Sequence, residues 1–189
     1  MRHFRFTALA IVVLALQGTV SAGSTPLPTP RESVNLKRYA GDWFVHGCIP
    51  LRIPFFSDID ARNYTEHYEL TGQDGIVMTS AFDSGDSDHA TRRSFSFKGD
   101  IIDSALKATW KIWFLWPIGA QYSIVYLDES YNTTIVASAN RRYAWIMSRK
   151  PYIDDVEYND LLGFLQQAGF DAAKFRRVPH DRNQVAQIN

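Results

Sequence analysis

The sequence has almost no cysteine, no net charge and no long apolar run after residue 22. Cys48 is the single cysteine among 189 residues, so we expect no internal disulfide bond. The 20 basic and 20 acidic side chains balance, and this argues against a nucleic-acid partner, which needs a basic surface. No later segment reaches the roughly 18 apolar residues of a transmembrane helix. Stability must therefore come from an apolar core, which a 46% hydrophobic composition can supply.

Motifs for metal, phosphate and acyl-transfer chemistry are also lacking. The five histidines show no metal-ligand spacing, so we predict no metal site and no cofactor. There is no glycine-rich phosphate loop and no Gly-x-Ser-x-Gly turn. Cys48 lies two residues after His46, and such residues share a strand face, so a Cys48-dependent isomerase stays open as a minor alternative. We otherwise predict that the protein is not an enzyme.

The first 22 residues have the pattern of a secretory signal peptide. A basic head precedes an apolar run from Ala8 to Leu16, and Val20-Ser21-Ala22 forms a small-residue cleavage site. We predict cleavage after Ala22 and export to the periplasm, or otherwise secretion, with an uncleaved amphipathic anchor as the alternative. No cysteine follows the cleavage site, so we do not predict a lipoprotein. Removing two arginines leaves 18 basic and 20 acidic side chains.

The remaining chain reads as short strands followed by one helix. Residues 23–34, rich in Ser, Thr and Pro, predict a flexible leader, and residues 181–189 a polar tail. Eight runs of alternating, β-branched or aromatic residues predict strands at 42–49, 62–70, 75–82, 92–99, 105–115, 121–128, 133–139 and 142–149. Short connections indicate antiparallel neighbours.

A helical period then replaces the alternation. Val156, Leu161 and Leu165 fall near one stripe, with Asp154 or Asp155 as cap and Gly169 beyond the end. Eight antiparallel strands and one helix admit a sandwich or a closed barrel. An outer-membrane barrel fits poorly, because several strand faces are charged or hydroxyl-rich rather than apolar.

Three segments carry a family resemblance. "NLKRYAGDWF" places Asn35, Tyr39, Gly41 and Trp43 at the start of the first strand. "YLDESY" (126–131) lies at the turn between the sixth and seventh strands, and "YAWIMSR" (143–149) ends the last strand with Arg149. In this order the segments resemble the three motifs of the lipocalins. The resemblance covers roughly residues 33–178 and is greatest to the bacterial outer-membrane lipocalins and apolipoprotein D.

The resemblance implies a fold and a general function. It implies an all-β, eight-stranded antiparallel up-and-down barrel with one C-terminal α-helix outside, spanning residues 35–180. It also implies that Gly41, Trp43 and Arg149 are structural, with Trp43 closing one end of the barrel and Arg149 lying across its indole. Many bacterial relatives carry a lipoprotein cysteine, which this chain lacks. The implied partner is a hydrophobic small molecule, bound by a monomer or weak homodimer.

Strand alternation then predicts which residues line a ligand pocket. Three of the five tryptophans lie within seven residues, in "WKIWFLW" (110–116), and Trp110, Ile112 and Phe114 share one face. By the same rule, the predicted pocket residues are Arg62, Tyr64, Glu66, Tyr68, Met78, Ser80, Phe95, Phe97, Trp110, Ile112, Phe114, Tyr122, Ile124 and Tyr126. Arg62 and Glu66 would either pair or contact a ligand head group, unless a bulge reverses the face.

The turns after odd-numbered strands should meet at the open mouth. There Phe55, Phe56, Trp113 and Trp116 would form an apolar rim suited to peripheral membrane contact. We therefore predict binding, transport or storage of a fatty acid or lysophospholipid, with a role in cell-envelope maintenance. The alternative is a filled barrel that docks a partner or membrane through its aromatic rim.

Overall fold

The chain folds into a closed antiparallel β-barrel with a helix on its outside, as the sequence predicts. The computed structural model describes residues 26–53, 56–85 and 89–181, so the predicted signal peptide and most of the predicted tail lie outside the described residues. The described strands are β1 (Gly41–Cys48), β2 (Arg52–Ile53), β3 (Phe56–Ser57), β4 (Arg62–Thr71), β5 (Gly75–Ser84), β6 (Thr91–Ile101), β7 (Thr109–Leu115), β8 (Ile118–Leu127), β9 (Thr133–Ser138), β10 (Ala144–Ser148) and β11 (Arg176–Arg177).

Eight of these strands form the barrel wall. β1 and β4 to β10 pair in sequence order, and β10 returns to pair with β1, which closes the sheet. In the register, Phe44 lies opposite Ser148 on one side of β1, and Trp43 lies opposite Glu66 on the other. β2 and β3 form a small separate hairpin, and β11 adds to β1 at Gly47.

Two strand boundaries differ from the prediction by three residues or more. The fifth barrel strand begins at Thr109 and not at residue 105, because the Asp103 carboxylate accepts hydrogen bonds from the amides of Ala105 and Leu106 and holds a turn there. Lys107, with φ of 55°, completes the bend. The sixth begins at Ile118, three residues early, so that only Trp116 and Pro117 connect β7 to β8.

Aromatic rings fill the closed end of the barrel. Tyr39 ends a helical turn (Leu36–Tyr39), and its ring centroid lies 5.0 Å from that of Trp43 and 5.3 Å from that of Trp110. The Trp43 indole N–H donates to the carbonyl of Tyr39 at 2.9 Å. Tyr68 packs against both Tyr39 and Trp110. We call Tyr39, Trp43, Tyr68 and Trp110 the floor cluster.

Arg149 seals the floor cluster from outside. Its guanidinium carbon lies 3.8 Å from the centre of the Trp43 ring. The same group donates to the carbonyls of Tyr39 and Ala40 at 2.7 and 2.9 Å, and also to those of Arg38 and Asp42. One cation therefore satisfies the carbonyls at the end of the helical turn while it covers the indole.

The C-terminal helix (Asp155–Gln167) covers one outer side of the barrel. Asp154 caps it by accepting a hydrogen bond from the amide of Glu157. Tyr158, Leu161 and Leu165 are buried in an apolar cluster with outward-facing strand residues. Gly47 allows this approach, since a β-carbon there would lie 2.6 Å from the Tyr158 hydroxyl. Among the described residues, no helix has the length and apolar character needed to cross a membrane.

The segment before the barrel makes contacts of its own. Leu27 packs on the outer apolar cluster beneath the helix, and Val34 is buried in the interior cluster. The amide of Val34 donates to the carbonyl of Leu106 at 2.8 Å. Ordered packing therefore begins within residues 23–34, the segment that the sequence suggested as a leader.

We expect Arg149→Met to destabilise the fold by about 2–3 kcal/mol, because four carbonyls lose a charged donor and Trp43 loses its cation. Arg149→Lys should retain only part of the unfolding free energy that Arg149→Met loses. A lysine ammonium cannot donate to four carbonyl groups at once as the planar guanidinium does. Urea unfolding of both variants, with the exposed Arg31→Met as control, measures the effect. A loss equal to that of Arg31→Met would contradict this assignment.

Candidate functional site

An apolar cavity occupies the upper half of the barrel, between the floor cluster and the mouth. Aromatic and aliphatic side chains form most of its wall. The lining residues are Leu51, Phe56, Tyr64, Glu66, Met78, Ser80, Phe97, Ile112, Phe114, Ala120, Gln121, Tyr122, Ser138, Tyr143 and Trp145. No lysine or arginine is among the described residues that line it.

Glu66 is the one ionisable carboxyl in this wall. Its side chain is on the inner face of β4 and the residue is only 2% exposed. Oε1 accepts hydrogen bonds from the Tyr64 hydroxyl at 3.0 Å and from the Ser80 hydroxyl at 2.9 Å. Burial raises the pKa of Glu66 to about 7, although these two hydrogen bonds oppose the shift. A carboxyl that changes charge near neutral pH therefore lies inside an apolar chamber.

The structure brings eight of the fourteen predicted pocket residues together around the cavity. They are Tyr64, Glu66, Met78, Ser80, Phe97, Ile112, Phe114 and Tyr122. Four others are on the inner side without lining it. Tyr68 and Trp110 belong to the floor cluster, Ile124 is fully buried in the interior core, and Phe95 packs against Phe56 and Phe82.

Arg62 does not point into the barrel, because the bulge that the sequence analysis left open as an alternative is present in β4. A bulge between Arg62 and Thr65 adds one residue to β4, and Asn63 takes a left-handed φ of 49°. Arg62 consequently lies opposite Asp83, which faces outward next to the buried Phe82. Its guanidinium donates to the carbonyl of Gly85 at 3.2 Å.

Tyr126 is also outside the barrel, for the same kind of reason. The register shifts between Ile124 and Tyr126, so the alternation that places Ile124 inside is broken after it. Tyr126 packs instead against the C-terminal helix, with its ring centroid 5.3 Å from that of Phe164. It is therefore part of the helix contact and not of the pocket.

The mouth is narrowed by the β2–β3 hairpin. Phe56, which the sequence places on an exposed rim, is only 4% exposed, because it turns inward against Phe82 and Phe95 at centroid distances of 5.5 and 5.1 Å. The buried Asp58 holds the hairpin by accepting a 2.7 Å hydrogen bond from the amide of Leu51. Burial raises the pKa of Asp58 to about 6.

Of the other predicted rim residues that the structure describes, Trp116 is the one exposed at the mouth. It is 79% exposed at the turn between β7 and β8. Trp113 lies on the outer wall, where its indole N–H donates to Asp100 at 2.6 Å and Lys111 covers its ring. Phe55 lies outside the described residues.

Cys48 and His46 are on opposite sides of β1. A register shift between Val45 and Gly47 separates them. Cys48 is fully buried in the interior cluster, where burial raises the pKa of its thiol. His46 hydrogen-bonds to Ser148 at 2.9 Å on the outer side, and burial lowers its pKa to about 3. The arrangement does not supply the thiolate and nearby base of a cysteine nucleophile.

Sequence reasoning missed several lining residues. Tyr143 and Trp145 have a visible signal, because alternation along "YAWIM" gives them one face together with the buried Met147. Ala120 lies between the predicted fifth and sixth strands, and Gln121 is the first residue of the predicted sixth strand. Leu51 is in the mouth loop, where no periodicity exists to indicate its direction.

The cavity is narrow. Its free volume is about 40 Å³, and the space between its walls is about 520 Å³ when the opening to solvent is counted. The first value suits one or a few water molecules. The second approaches the size of a small-molecule pocket. A long acyl chain would have to move side chains at the mouth, among them the buried Phe56.

Known proteins share this sequence and this architecture. Residues 34–180 match the model of the lipocalin-like domain. The outer membrane lipoprotein Blc of Escherichia coli K12 is 27% identical over 161 residues, covering 82% of this chain and 87% of that protein. The temperature-induced lipocalin-1 of Arabidopsis thaliana is 23% identical over 158 residues, covering 78% and 80%.

Solved structures agree at the level of the fold. Lobster apocrustacyanin A1 superposes with a TM-score of 0.58 at 15% sequence identity, covering 84% of this chain and 92% of that one. The chain has a closed eight-stranded barrel with an outer helix, and Arg149 covers the closing Trp43. The same residues match the lipocalin-like domain. The chain therefore belongs to the lipocalin family, whose members bind small hydrophobic ligands.

Proposed function

We propose that this protein binds a single-chain lipid, a fatty acid or lysophospholipid, with the acyl chain in the barrel cavity. The observation that carries the proposal is an apolar cavity that opens at one end of a closed barrel and holds a single buried carboxyl. Such a chamber is suited to an apolar chain with few polar groups. Each buried methylene contributes about 0.8 kcal/mol before the costs of association.

Entry of a chain requires the mouth to widen. The side chain of Phe56 is packed among three aromatic rings, and the Asp58 carboxylate ties the hairpin to the amide of Leu51. An outward movement of this hairpin would widen the opening between the narrow cavity and the solvent. The acyl chain then takes the place of Phe56 in the aromatic contacts that the hairpin loses. Apolar surface therefore stays buried.

We further propose that the protein is exported and acts in the cell envelope as a carrier or store of membrane-derived lipid. The signal-like first 22 residues and the similarity to outer membrane lipoproteins support this role. The exposed Trp116 beside the mouth would contact the membrane surface during transfer. The buried thiol of Cys48, separated from His46, supports binding without catalysis.

The narrow free volume favours a second candidate, a filled barrel that serves as an interaction protein. In this case the aromatic side chains are a permanent core and Trp116 docks a partner or membrane. The two candidates differ in what the barrel retains. Native mass spectrometry of the protein purified from cells should show a lipid of near-unit stoichiometry only if the barrel is a carrier.

The buried Glu66 carries an energetic cost that supports a functional role. Its pKa is about 7 in the folded protein and near the ordinary 4.5 in the unfolded chain. The folded protein thus binds more protons between these values, and its stability falls as pH rises from about 4.5 to about 7. Groups retained at such a cost are often found at functional sites.

We expect Glu66→Gln to remove this pH dependence. Between pH 5 and pH 8 the unfolding free energy of the parent protein should fall by on the order of 2 kcal/mol more than that of the variant. Urea unfolding at the two pH values tests the difference, with the exposed Glu32→Gln as control. Equal slopes in the parent and Glu66→Gln would show that Glu66 does not titrate in this range.

Filling the cavity tests the carrier directly. Ala120→Trp places an indole in the cavity wall from β8, and Ser80→Trp does so from β5. Both substitutions should abolish the binding of a fluorescent fatty acid that dodecanoate or lysophosphatidylcholine displaces from the parent protein. Ser94→Trp, at an exposed position on the outer face of β6, should leave it unchanged. Tight lipid binding by a folded Ala120→Trp variant would exclude this cavity as the site.

A further inference from the structure

Glu66 has one carboxylate oxygen that nothing in the described structure satisfies. Oε1 accepts from both Tyr64 and Ser80, whereas Oε2 is buried and has no hydrogen-bond partner among the described residues. A buried polar atom left in this state costs about 1–3 kcal/mol. An oxygen so placed in a cavity wall is therefore ready to accept a hydrogen bond from whatever occupies the cavity.

No side chain of the described residues donates to Oε2 in this arrangement. Tyr64 and Ser80 are used by Oε1, and the hydroxyls of Tyr68 and Tyr122 are paired with each other at 3.1 Å. No lysine or arginine is among the described lining residues. A ligand in the cavity, or a water molecule, can supply the missing donor.

Glu66 is at the deep end of the cavity. It lies opposite Trp43 of the floor cluster and four residues along β4 from Arg62, which is at the mouth. Because of the bulge in β4, their partners on β5, Asp83 and Ser80, are only three residues apart, a span of roughly 10 Å. A chain that enters tail-first would therefore bring its far end, and not its head group, to Oε2.

A cation at the mouth favours this orientation, with the head group outside and the acyl tail inside. Arg93 is paired with the inward-facing Phe82, so its side chain leaves β6 on the interior side, and it is exposed there. An anionic head group would lie near this cation at the mouth. At the deep end the same anion would meet Glu66, and no lysine or arginine is among the described lining residues there, which is unfavourable.

We propose that the cavity selects acyl chains that carry a hydroxyl at or near their buried end, and that Glu66 is the residue that determines this specificity. The inference rests on the proposed function, because it assumes that an acyl chain enters the barrel tail-first. Glu66 Oε2 accepts the hydrogen bond of the chain hydroxyl, and the carboxylate of the ligand remains at the mouth. No bond is made or broken.

Two isomeric ligands test the proposal without any change to the protein. The isomers 12-hydroxydodecanoate and 2-hydroxydodecanoate have the same composition, but only the first can deliver its hydroxyl to the deep end. At pH 8 we expect the 12-hydroxy isomer to bind about tenfold more tightly, the ratio that one hydrogen bond to a charged acceptor provides. Isothermal titration with dodecanoate and 16-hydroxyhexadecanoate alongside extends the test to chain length.

Variants assign the effect to Glu66. Glu66→Leu should reduce the ratio between the two isomers to about one, while Glu69→Gln, at an exposed position on the same strand, should retain it. Glu66→Gln keeps a hydrogen-bond acceptor and should retain part of the preference for the 12-hydroxy isomer. This variant tests the role of Glu66 if Glu66→Leu fails to fold. Circular dichroism at the titration temperature confirms that each variant is folded.

The outcomes distinguish the proposed lipid-binding function from the proposed role of Glu66. If neither dodecanoate nor its hydroxylated isomers bind to the parent protein, the proposed lipid-binding function fails. If dodecanoate binds and the two isomers bind equally well, the function stands and the inference about Glu66 is overturned. Preference for the 12-hydroxy isomer that persists in folded Glu66→Leu would overturn it as well.

Discussion

The pairing of β1 with β10 is the constraint on which the rest of this structure depends. It turns a meander of hairpins into a closed wall, so every strand residue must face either the interior or the outside. The interior becomes a chamber lined by aromatic side chains, and the outside offers a surface for the C-terminal helix. Arg149, which directly follows β10, joins this closure to the closed end through Trp43 and the preceding helical turn.

Closure also divides the interior into two unlike halves. Below, the floor cluster packs ring against ring and leaves no polar atom of Trp43 unsatisfied. Above, the wall is equally apolar but incompletely filled, and Glu66 lies at the boundary between the halves. A buried carboxyl is unfavourable for folding, so its position in the incompletely filled half is understandable if it acts on a ligand. The barrel is therefore stable at one end and adaptable at the other.

Sequence alternation predicted the interior well where the strands are regular. Eight of the fourteen expected pocket residues line the cavity, and four more face inward. The errors occur at bulges: one extra residue in β4 turns Arg62 outward, and a register shift in β8 turns Tyr126 to the helix. The same effect separates His46 from Cys48. A bulge depends on how a strand meets its partner, so it leaves no mark in the local period.

By itself the sequence determined the strand order, the outer helix, the closed end around Trp43 and the apolar inner faces, because these follow from local periods, short turns and motif residues. Only the tertiary structure decided which oxygen of Glu66 lacks a partner, that the hairpin with Phe56 folds inward over the cavity, and that Trp145 joins the wall. These features arise where residues far apart in the chain meet. Their geometry depends on the closure of the barrel, which no local pattern encodes.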